Sequence, residues 1–262
     1  VDNRKVAAAL KAAYLAAGGT LCEGCEVLRV VMAGGRIAGV EALLRWPHPH
    51  LGTLHPDTFL PLVRQHGLMR PVTDLVIAQS LDDVAGWARQ GVRLPVAINL
   101  FAPSLRDTTL PDTLGAALQQ RGLTPEFLTV EITEDLVLSE VSTVTPVLHR
   151  LRQLGIRIAI DDFGSGYSAL SYLRDLPIDE IKLDRHFIAH VTTNPKAAAV
   201  VDAVINLTHA LDITVVAEGV EDAETAAWLA AHHCDIAQGY HYGRPTIAST
   251  VPRLIAGAVA GA

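Results

Sequence analysis

Cysteine, basic residues and long apolar runs are all scarce in this sequence of 262 residues. Its three cysteines argue against a disulfide-stapled fold and suit a reducing compartment. Lysine and arginine number 21 against 28 aspartates and glutamates, for a formal charge of −7, which excludes the basic footprint of a nucleic-acid-polymer binder. Long apolar stretches such as 197–217 are interrupted by polar residues before they reach about 18 residues. We therefore expect no membrane partner, no nucleic-acid polymer as partner, and a cytoplasmic location.

What is present is enough apolar material for a large core. Half of the residues are hydrophobic and only 19% are charged, which excludes intrinsic disorder. No low-complexity linker divides the chain, so we predict a single domain over residues 1–262. An alanine-rich amphipathic helix is predicted over 1–19. Cys22 and Cys25 are interpreted as small apolar residues before a strand rather than half of a metal or redox site.

From residue 96 onward, short β-branched runs alternate with longer helical stretches. The predicted strands cover 96–100, 128–132, 157–160, 180–183, 213–217 and 235–237, and the predicted helices cover 111–121, 141–154, 168–174, 195–210 and 222–232. Such alternation predicts an α/β fold with a parallel sheet. About eight strands in about 250 residues predict a closed barrel of the TIM, or (β/α)8, type.

The beginning of the chain departs from this rhythm. Two predicted strands, 26–32 and 36–44, flank Ala33-Gly34-Gly35, which has the length and composition of a hairpin turn. Strands joined so tightly must be antiparallel. We therefore predict a modified TIM-like barrel with an antiparallel first strand.

Oxygen-bearing side chains stand within or at the ends of five predicted strands. They are Glu41, Asn99, Glu131, the pair Asp161-Asp162, and Glu218. In a parallel barrel the carboxyl ends of the strands open on one face, where active sites are built. Buried carboxylates need a cation or a lysine, and oxygen donors without sulfur suit Mg²⁺ or Mn²⁺.

Two neighbouring features strengthen this prediction. Adjacent carboxylates such as Asp161 and Asp162 can face two cations, as two-metal hydrolysis requires, and a glycine-rich loop follows over 163–168. Lys182 ends its own strand among these acids. There it can orient or deprotonate a water, or balance charge, and the sequence leaves these roles open.

The sequence Glu41-Ala42-Leu43-Leu44-Arg45-Trp46 resembles the signature of the EAL domains, the cyclic di-GMP phosphodiesterases. Further motifs follow in the family's order: Ile98–Leu100, Val130–Glu134, Asp161–Gly166, Ile181–Asp184, Ala217–Glu221 and Gln238–Tyr240. The resemblance covers about Gly39 to Pro245. It implies hydrolysis of one phosphodiester bond of cyclic di-GMP to linear pGpG with two Mg²⁺ or Mn²⁺ ions. It also implies a homodimer.

The resemblance also assigns residue roles. One metal would be held by Glu41, Asn99, Glu131 and Asp161, and the other by Asp161, Asp162 and Glu218. Lys182 would sit on the attacking water, with Glu218 and Glu134 as further catalytic groups and Glu134 bracing the glycine-rich loop. Arg45, Leu43 and Gln238 would contact the substrate, while Glu221, Asp184, Gly164 and Gly166 would support the site.

Residues 1–38 depart from the family pattern. This helix-and-hairpin segment loosely resembles part of the FAD-dependent amine or glycine oxidases, which suggests a graft joined near Gly39, although it lacks a dinucleotide-binding glycine motif. His48 and His50 are interpreted as part of a loop over the site rather than metal ligands. Two alternatives remain: a weak or inactive cyclic di-GMP receptor, and an engineered chimeric barrel.

Overall fold

The computed structural model describes residues 27–33, 36–48, 50–164 and 171–260. Its strands are β1 Val27–Ala33, β2 Arg36–Ala42, β3 Trp46–His48, β4 Gly52–Leu54, β5 Val96–Asn99, β6 Leu128–Thr133, β7 Arg157–Phe163, β8 Glu180–Leu183, β9 Thr214–Ala217 and β10 Ile236–Gln238. Its α-helices are α1 Pro56–Gln65, α2 Met69–Arg89, α3 Ala102–Leu105, α4 Leu110–Gln120, α5 Glu134–Gln153, α6 Ser171–Asp175, α7 Arg185–Ile188, α8 Pro195–Ala210, α9 Ala223–Ala231 and α10 Val251–Ala260.

Seven strands form a nearly closed parallel barrel, as the alternating sequence pattern predicted. Adjacent pairs from β2 through β5, β6, β7, β8 and β9 to β10 are all parallel. In the strand order, β1 lies between β10 and β2. The parallel order places the carboxyl ends of seven strands on one face of the barrel.

Apolar strand residues form the core between the barrel and its helices. Ile98, Val130, Ile158, Ile181 and Val215 are all completely buried. Strands of a parallel sheet are covered on both faces, which is why their sequences run as continuous apolar segments. Burying each such side chain stabilises the fold by about 1.5–3 kcal/mol.

Two aspartates hold strand register at the opposite, amino-terminal end of the barrel. Asp179 precedes β8 and accepts a hydrogen bond of 3.0 Å from the backbone N–H of Ile158 in β7. Asp235 precedes β10 and accepts one of 2.9 Å from the N–H of Val215 in β9. Because parallel strands lack hairpin turns, these bonds help to fix which residues reach the other face.

The interpretation of His48 as part of a loop is wrong. His48 is buried at the end of β3, which pairs with β4 in a short antiparallel hairpin. The His48 ring packs edge-on against Trp46 at 5.1 Å, and its Nδ1 accepts a 3.1 Å hydrogen bond from the N–H of His50. Pro47 favoured the interpretation as a loop because proline is typical of turns. Proline is nevertheless compatible with a short edge strand.

The helices differ from the predictions in several places. Four of them, α1, α2, α3 and α7, were not predicted at all. In addition, α5 begins at Glu134 rather than near residue 141. Glu140 has a non-helical backbone inside α5 and accepts hydrogen bonds from Arg106, one of them 2.7 Å long from Nε. This interruption divides the helix where sequence periodicity alone suggested its start.

No helix in the described ranges has both the length and the apolar character needed to cross a bilayer.

Asp83 in α2 allows a test of electrostatics in the fold. Burial, with the neighbouring Asp82, raises the pKa of Asp83 from 3.8 to about 6. A carboxyl group with a raised pKa in the folded state contributes stability below its unfolded pKa, and loses it as pH rises through about 6. We expect Asp83→Asn to increase the free energy of unfolding near pH 7.5 by about 1 kcal/mol, a value lowered for solvent screening.

Urea unfolding near pH 5 and near pH 7.5 would check this expectation. The gain should be smaller at the lower pH. Equal gains at both values would show that the carboxyl charge is not the cause.

Candidate active site

The five predicted ligand positions meet at the carboxyl end of the barrel. Asn99 ends β5 and is in register with Glu131 on β6, while Thr133 on β6 is in register with Asp161 on β7. Glu41 is the penultimate residue of β2, and Glu218 directly follows β9. The strand registers therefore bring together side chains that are up to 177 residues apart in sequence (218 minus 41).

Lys182 lies at the centre of this cluster. Its Nζ is 2.8 Å from Glu131 Oε1 and 2.8 Å from Glu218 Oε1. Asp161 Oδ1 is 3.1 Å away and Glu41 Oε2 is 3.7 Å away. One buried ammonium therefore interacts with four carboxylates.

Burial and charge shift the pKa values of the two most enclosed groups. Burial alone would lower the pKa of Lys182, but the surrounding carboxylates, Glu131 first among them, outweigh it and raise the pKa well above 10.5. Burial raises the pKa of Glu131 well above 4.5, although the Lys182 charge opposes this. The raised pKa of Glu131, despite the adjacent Lys182, indicates that one ammonium does not fully compensate the negative charge of the cluster.

Two amide side chains connect the carboxylates. Asn99 Nδ2 donates hydrogen bonds to Glu41 Oε1 at 3.2 Å and Glu131 Oε2 at 3.0 Å. Gln238 Nε2 donates to Glu41 Oε2 at 3.5 Å and also contacts Glu218 Oε1. Since Gln238 ends β10, this network ties the last strand of the barrel to β2 and β9.

A cavity of about 570 Å³ opens above the cluster. Its lining comprises Glu41, Asp57, Asp161, Asp162, Asp184, Arg185, Glu218, Gly219, Glu221, Gly239 and Tyr240. Asp162 has a left-handed backbone with φ of 54°. Burial and the nearby Asp161 raise the pKa of Asp162, whereas hydrogen bonds from His186 overcome burial and lower the pKa of Asp184. The cavity is large enough for a small-molecule ligand and strongly acidic.

Glu134 supports the segment that follows the aspartate pair. It is buried at the start of α5, and its Oε2 accepts a 2.9 Å hydrogen bond from the N–H of Gly164. The predicted supporting residue Gly166, with the rest of 165–170, lies outside the described residues. The structure therefore joins Glu134 to the beginning of the glycine-rich loop.

Arg45 and Leu43 line a separate cavity. This space of about 220 Å³ is mainly apolar and also reaches Asn99 and Phe101. Arg45 Nη1 donates a 2.8 Å hydrogen bond to the carbonyl oxygen of Leu44. Asn99 therefore lies between the acidic cluster and the cavity that holds Arg45.

Known proteins share the family and the fold of this chain. The family model described as EAL domain matches residues 29–245. The chain belongs to the EAL domain family. Two Pseudomonas aeruginosa proteins, cyclic di-GMP phosphodiesterases NbdA and PA2567, are each 40% identical to it, over 217 and 219 residues. These alignments cover 82% and 84% of this chain but 28% and 37% of the relatives, so the chain spans less than half of their length.

A solved EAL structure supports the same assignment. The PaMucR phosphodiesterase, in complex with c-di-GMP, superposes with a TM-score of 0.81 and 34% sequence identity. The superposition covers 86% of this chain and 92% of that chain. The barrel fold is therefore that of an EAL domain.

The EAL match also changes the predicted boundary of the family region. It begins at residue 29, ten residues before Gly39 (39 minus 29), so the predicted coverage was too short. The predicted helix over 1–19, the Cys22–Cys25 pair and the turn at Gly34-Gly35 lie outside the described residues.

The donor set of this EAL domain fits a hard divalent cation. It consists of carboxylate and amide oxygens, and the buried Asp161 Oδ1 has no partner with hydrogen-bond geometry among the described residues. Within those residues, no three His, Cys, Asp or Glu side chains have the arrangement of a formed metal site. The carboxylates face Lys182, and their excess negative charge is what a divalent ion would offset.

Asp57 and Arg185 line the main cavity but are absent from the sequence-based set of site residues. Asp57 lies in the first turn of α1, a helix that was not predicted. Arg185 directly follows Asp184 in the motif at the end of β8. Its position next to a selected residue was the available signal, but adjacency in sequence does not show which side chains face a cavity.

Gly164 gives a test of the loop geometry. Its φ is +92°, and a Cβ there would overlap the ring of Phe187 in α7. We expect Gly164→Ala to displace the segment after Asp161 and Asp162 and to lower kcat/KM by about 10-fold or more in the cyclic di-GMP hydrolysis that we propose for this domain. Steady-state hydrolysis would measure kcat/KM, and a thermal melt would measure any loss of stability.

Gly122→Ala is the matched control, because Gly122 has φ of +65° and a Cβ added there would meet nothing within 4 Å. It should lose about 1 kcal/mol of stability from backbone strain and no activity. Equal activity losses in the two variants would contradict a specific role for the contact with Phe187.

Proposed function

We propose that this EAL domain hydrolyses one phosphodiester bond of cyclic di-GMP to give linear pGpG. The observation that carries the proposal is the convergence of Glu41, Asn99, Glu131, Asp161 and Glu218 around Lys182 at the carboxyl end of the barrel. Relatives named as cyclic di-GMP phosphodiesterases, and a similar structure in complex with c-di-GMP, support the same substrate. The enzyme is accordingly a hydrolase.

Two Mg²⁺ or Mn²⁺ ions are proposed as cofactors. Glu41, Asn99, Glu131 and Asp161 would hold one ion, and Asp161, Asp162 and Glu218 would hold the other. When bound, such ions would neutralise phosphate charge and lower the pKa of a bound water. The all-oxygen donor set and the uncompensated acidic charge support this assignment.

Lys182 is proposed to orient the attacking water and to balance charge. Acting as a general base would require the ammonium to lose its proton amid four carboxylates within 4 Å, which their attraction opposes. Glu218, hydrogen-bonded to Gln238, shares the catalytic cluster. Glu134 acts through its bond to Gly164, and Gly166 is proposed to support the same loop.

Substrate contacts are proposed on both sides of the cluster. Leu43 and Arg45 would receive part of the substrate in the smaller cavity, and Gln238 would act from the barrel end. Glu221 and Asp184 would support the site from the larger cavity. Asn99 lines the smaller cavity and donates a hydrogen bond to Glu41, which lines the larger one, and this contact supports a substrate that extends across both spaces.

Product analysis tests the proposal and its first alternative. Incubation with cyclic di-GMP and Mg²⁺ or Mn²⁺, followed by chromatography, should yield pGpG that disappears when EDTA is present. Intact substrate together with measurable binding would instead favour the receptor. A stable fold that binds neither metal nor cyclic di-GMP would favour the engineered barrel.

The first strand and the preceding residues belong to the same proposal. We propose that β1 runs antiparallel to the other strands and completes the barrel, with Val31 opposite Gln238 and Val30 opposite Val40 in support. The oxidase-like origin of the segment before Gly39 stays a prediction. A variant that begins at residue 29 should keep the fold, as judged by circular dichroism, if the earlier residues are foreign to it.

A single domain over residues 1–262, a homodimer and a cytoplasmic location are also proposed. Sedimentation of the purified chain should give about twice its mass of 28.0 kDa. A monomer at every concentration that supports hydrolysis would contradict the dimer.

A further inference from the structure

The main cavity has a marked imbalance of charge. Seven carboxylates line it, and among its described lining residues Arg185 is the single basic side chain. Lys182 is buried beneath the cavity and already forms ion pairs with four of the carboxylates of the cluster. A ligand carrying more than one negative charge would therefore meet repulsion at the rim everywhere except near Arg185.

The base of the Arg185 side chain is held in place by its surroundings. Asp184 Oδ1 accepts a 2.8 Å hydrogen bond from the N–H of His186, which fixes the turn into α7. Gly219, two residues beyond the end of β9, approaches so closely that a Cβ there would overlap Arg185 Cβ. Arg185 as a whole remains exposed, so a fixed stem carries an accessible guanidinium.

Arg185 also stands at the boundary between two spaces. It lines the main cavity and a neighbouring cavity of about 270 Å³, together with Gly219 and Glu221. Arg45 lines neither of these spaces. The two arginines therefore serve different regions around the carboxylate cluster.

We propose that Arg185 binds the phosphate of the substrate that is not cleaved. The inference rests on the proposed function, because cyclic di-GMP has two phosphodiester groups and only one of them is hydrolysed. The scissile group belongs at the carboxylate cluster, which leaves the second group in an otherwise acidic cavity. A guanidinium suits it, since its planar fork can donate two hydrogen bonds to one phosphate.

Two substrates separate this role from a role at the reacting phosphate. Cyclic di-GMP has two phosphodiesters, whereas bis(p-nitrophenyl) phosphate has one. We expect Arg185→Ala to lower kcat/KM for cyclic di-GMP by about 10- to 100-fold, mainly through KM, as for loss of a charged hydrogen bond. Hydrolysis of bis(p-nitrophenyl) phosphate should change by less than about twofold, and Arg185→Lys should recover part of the loss.

Binding gives a second measurement that does not depend on turnover. With Ca²⁺ in place of Mg²⁺, calorimetry should show that Arg185→Ala raises the Kd for cyclic di-GMP by about 10-fold or more. Arg93→Ala is the control, because Arg93 is exposed near the amino-terminal end of β5. This control substitution removes one positive charge at a site away from the cavity, and it should change neither the Kd nor kcat/KM for cyclic di-GMP.

The outcomes distinguish the two levels of the inference. Equal losses on both substrates, or an unchanged Kd for cyclic di-GMP in Arg185→Ala, would overturn the assignment of Arg185. Absence of pGpG formation by the wild-type chain would overturn the proposed function instead, and the Kd comparison would still decide whether Arg185 binds the dinucleotide.

Discussion

Lys182→Met is expected to reduce hydrolysis of cyclic di-GMP by about 10²- to 10⁴-fold, the range for loss of a group that handles a reacting proton or water. The substitution keeps an unbranched side chain but removes the ammonium that lies within 4 Å of four carboxylates. Removing one partner of a buried ion pair costs about 3–5 kcal/mol of stability, because the remaining charges stay buried. Both activity and the melting temperature should therefore fall.

Metal addition makes the prediction more specific. If the carboxylates hold divalent cations, Mn²⁺ should raise the melting temperature of Lys182→Met more than that of the wild type, since the variant has lost its internal cation. Lys196→Met is the control, because Lys196 is exposed in the first turn of α8. Full activity in Lys182→Met would show that the ammonium has no part in the reaction.

The metal-ligand candidates could be selected from sequence because strand ends are recognisable. Glu131 and Asp161 each follow a short segment that contains β-branched residues, and Lys182 follows Ile181 in another predicted strand. The barrel prediction then places such residues on one face. Sequence could not show that Lys182 contacts several carboxylates at once, since this depends on the registers of β6 and β8 and on side-chain direction.

Features set by tertiary packing escaped the sequence pattern. His48 was assigned to a loop because a proline precedes it, yet it ends a short strand and its buried ring packs against Trp46. The cavity position of Arg185 could not be predicted from local sequence either. Its proposed role depends on the close approach of Gly219 and on acidic side chains that are distant in sequence, from α1 and from the ends of β2, β7 and β9.

Helix α5 shows how a tertiary contact alters a boundary. Its predicted start near Val141 follows the regular apolar spacing after the interruption, whereas the helix begins at Glu134. The ion pair between Glu140 and Arg106 lies at the interruption, and Arg106 follows the separate helix α3. A window of local sequence contains only one partner of that pair and therefore misses the first turns of the helix.

Glu41→Gln is expected to abolish measurable turnover and to weaken binding of Mn²⁺ by about 10-fold or more. Glutamine keeps the size of the side chain and one oxygen, so the hydrogen bond from Asn99 can persist. What it removes is the negative charge that a divalent cation requires at the end of β2. Calorimetry with Mn²⁺ and chromatography of pGpG would measure the two effects separately.

Glu180→Gln is a matched control inside the same barrel. Glu180 is also a buried glutamate, but it begins β8 at the amino-terminal end and lies 3.4 Å from Arg157. Its replacement should alter stability while leaving Mn²⁺ affinity and turnover within about twofold, because electrostatic effects weaken with distance from the site. If both variants lost metal binding equally, the barrel as a whole, and not the cluster at its carboxyl end, would be responsible. If Glu41→Gln kept full metal affinity and rate, the two-metal assignment would be wrong.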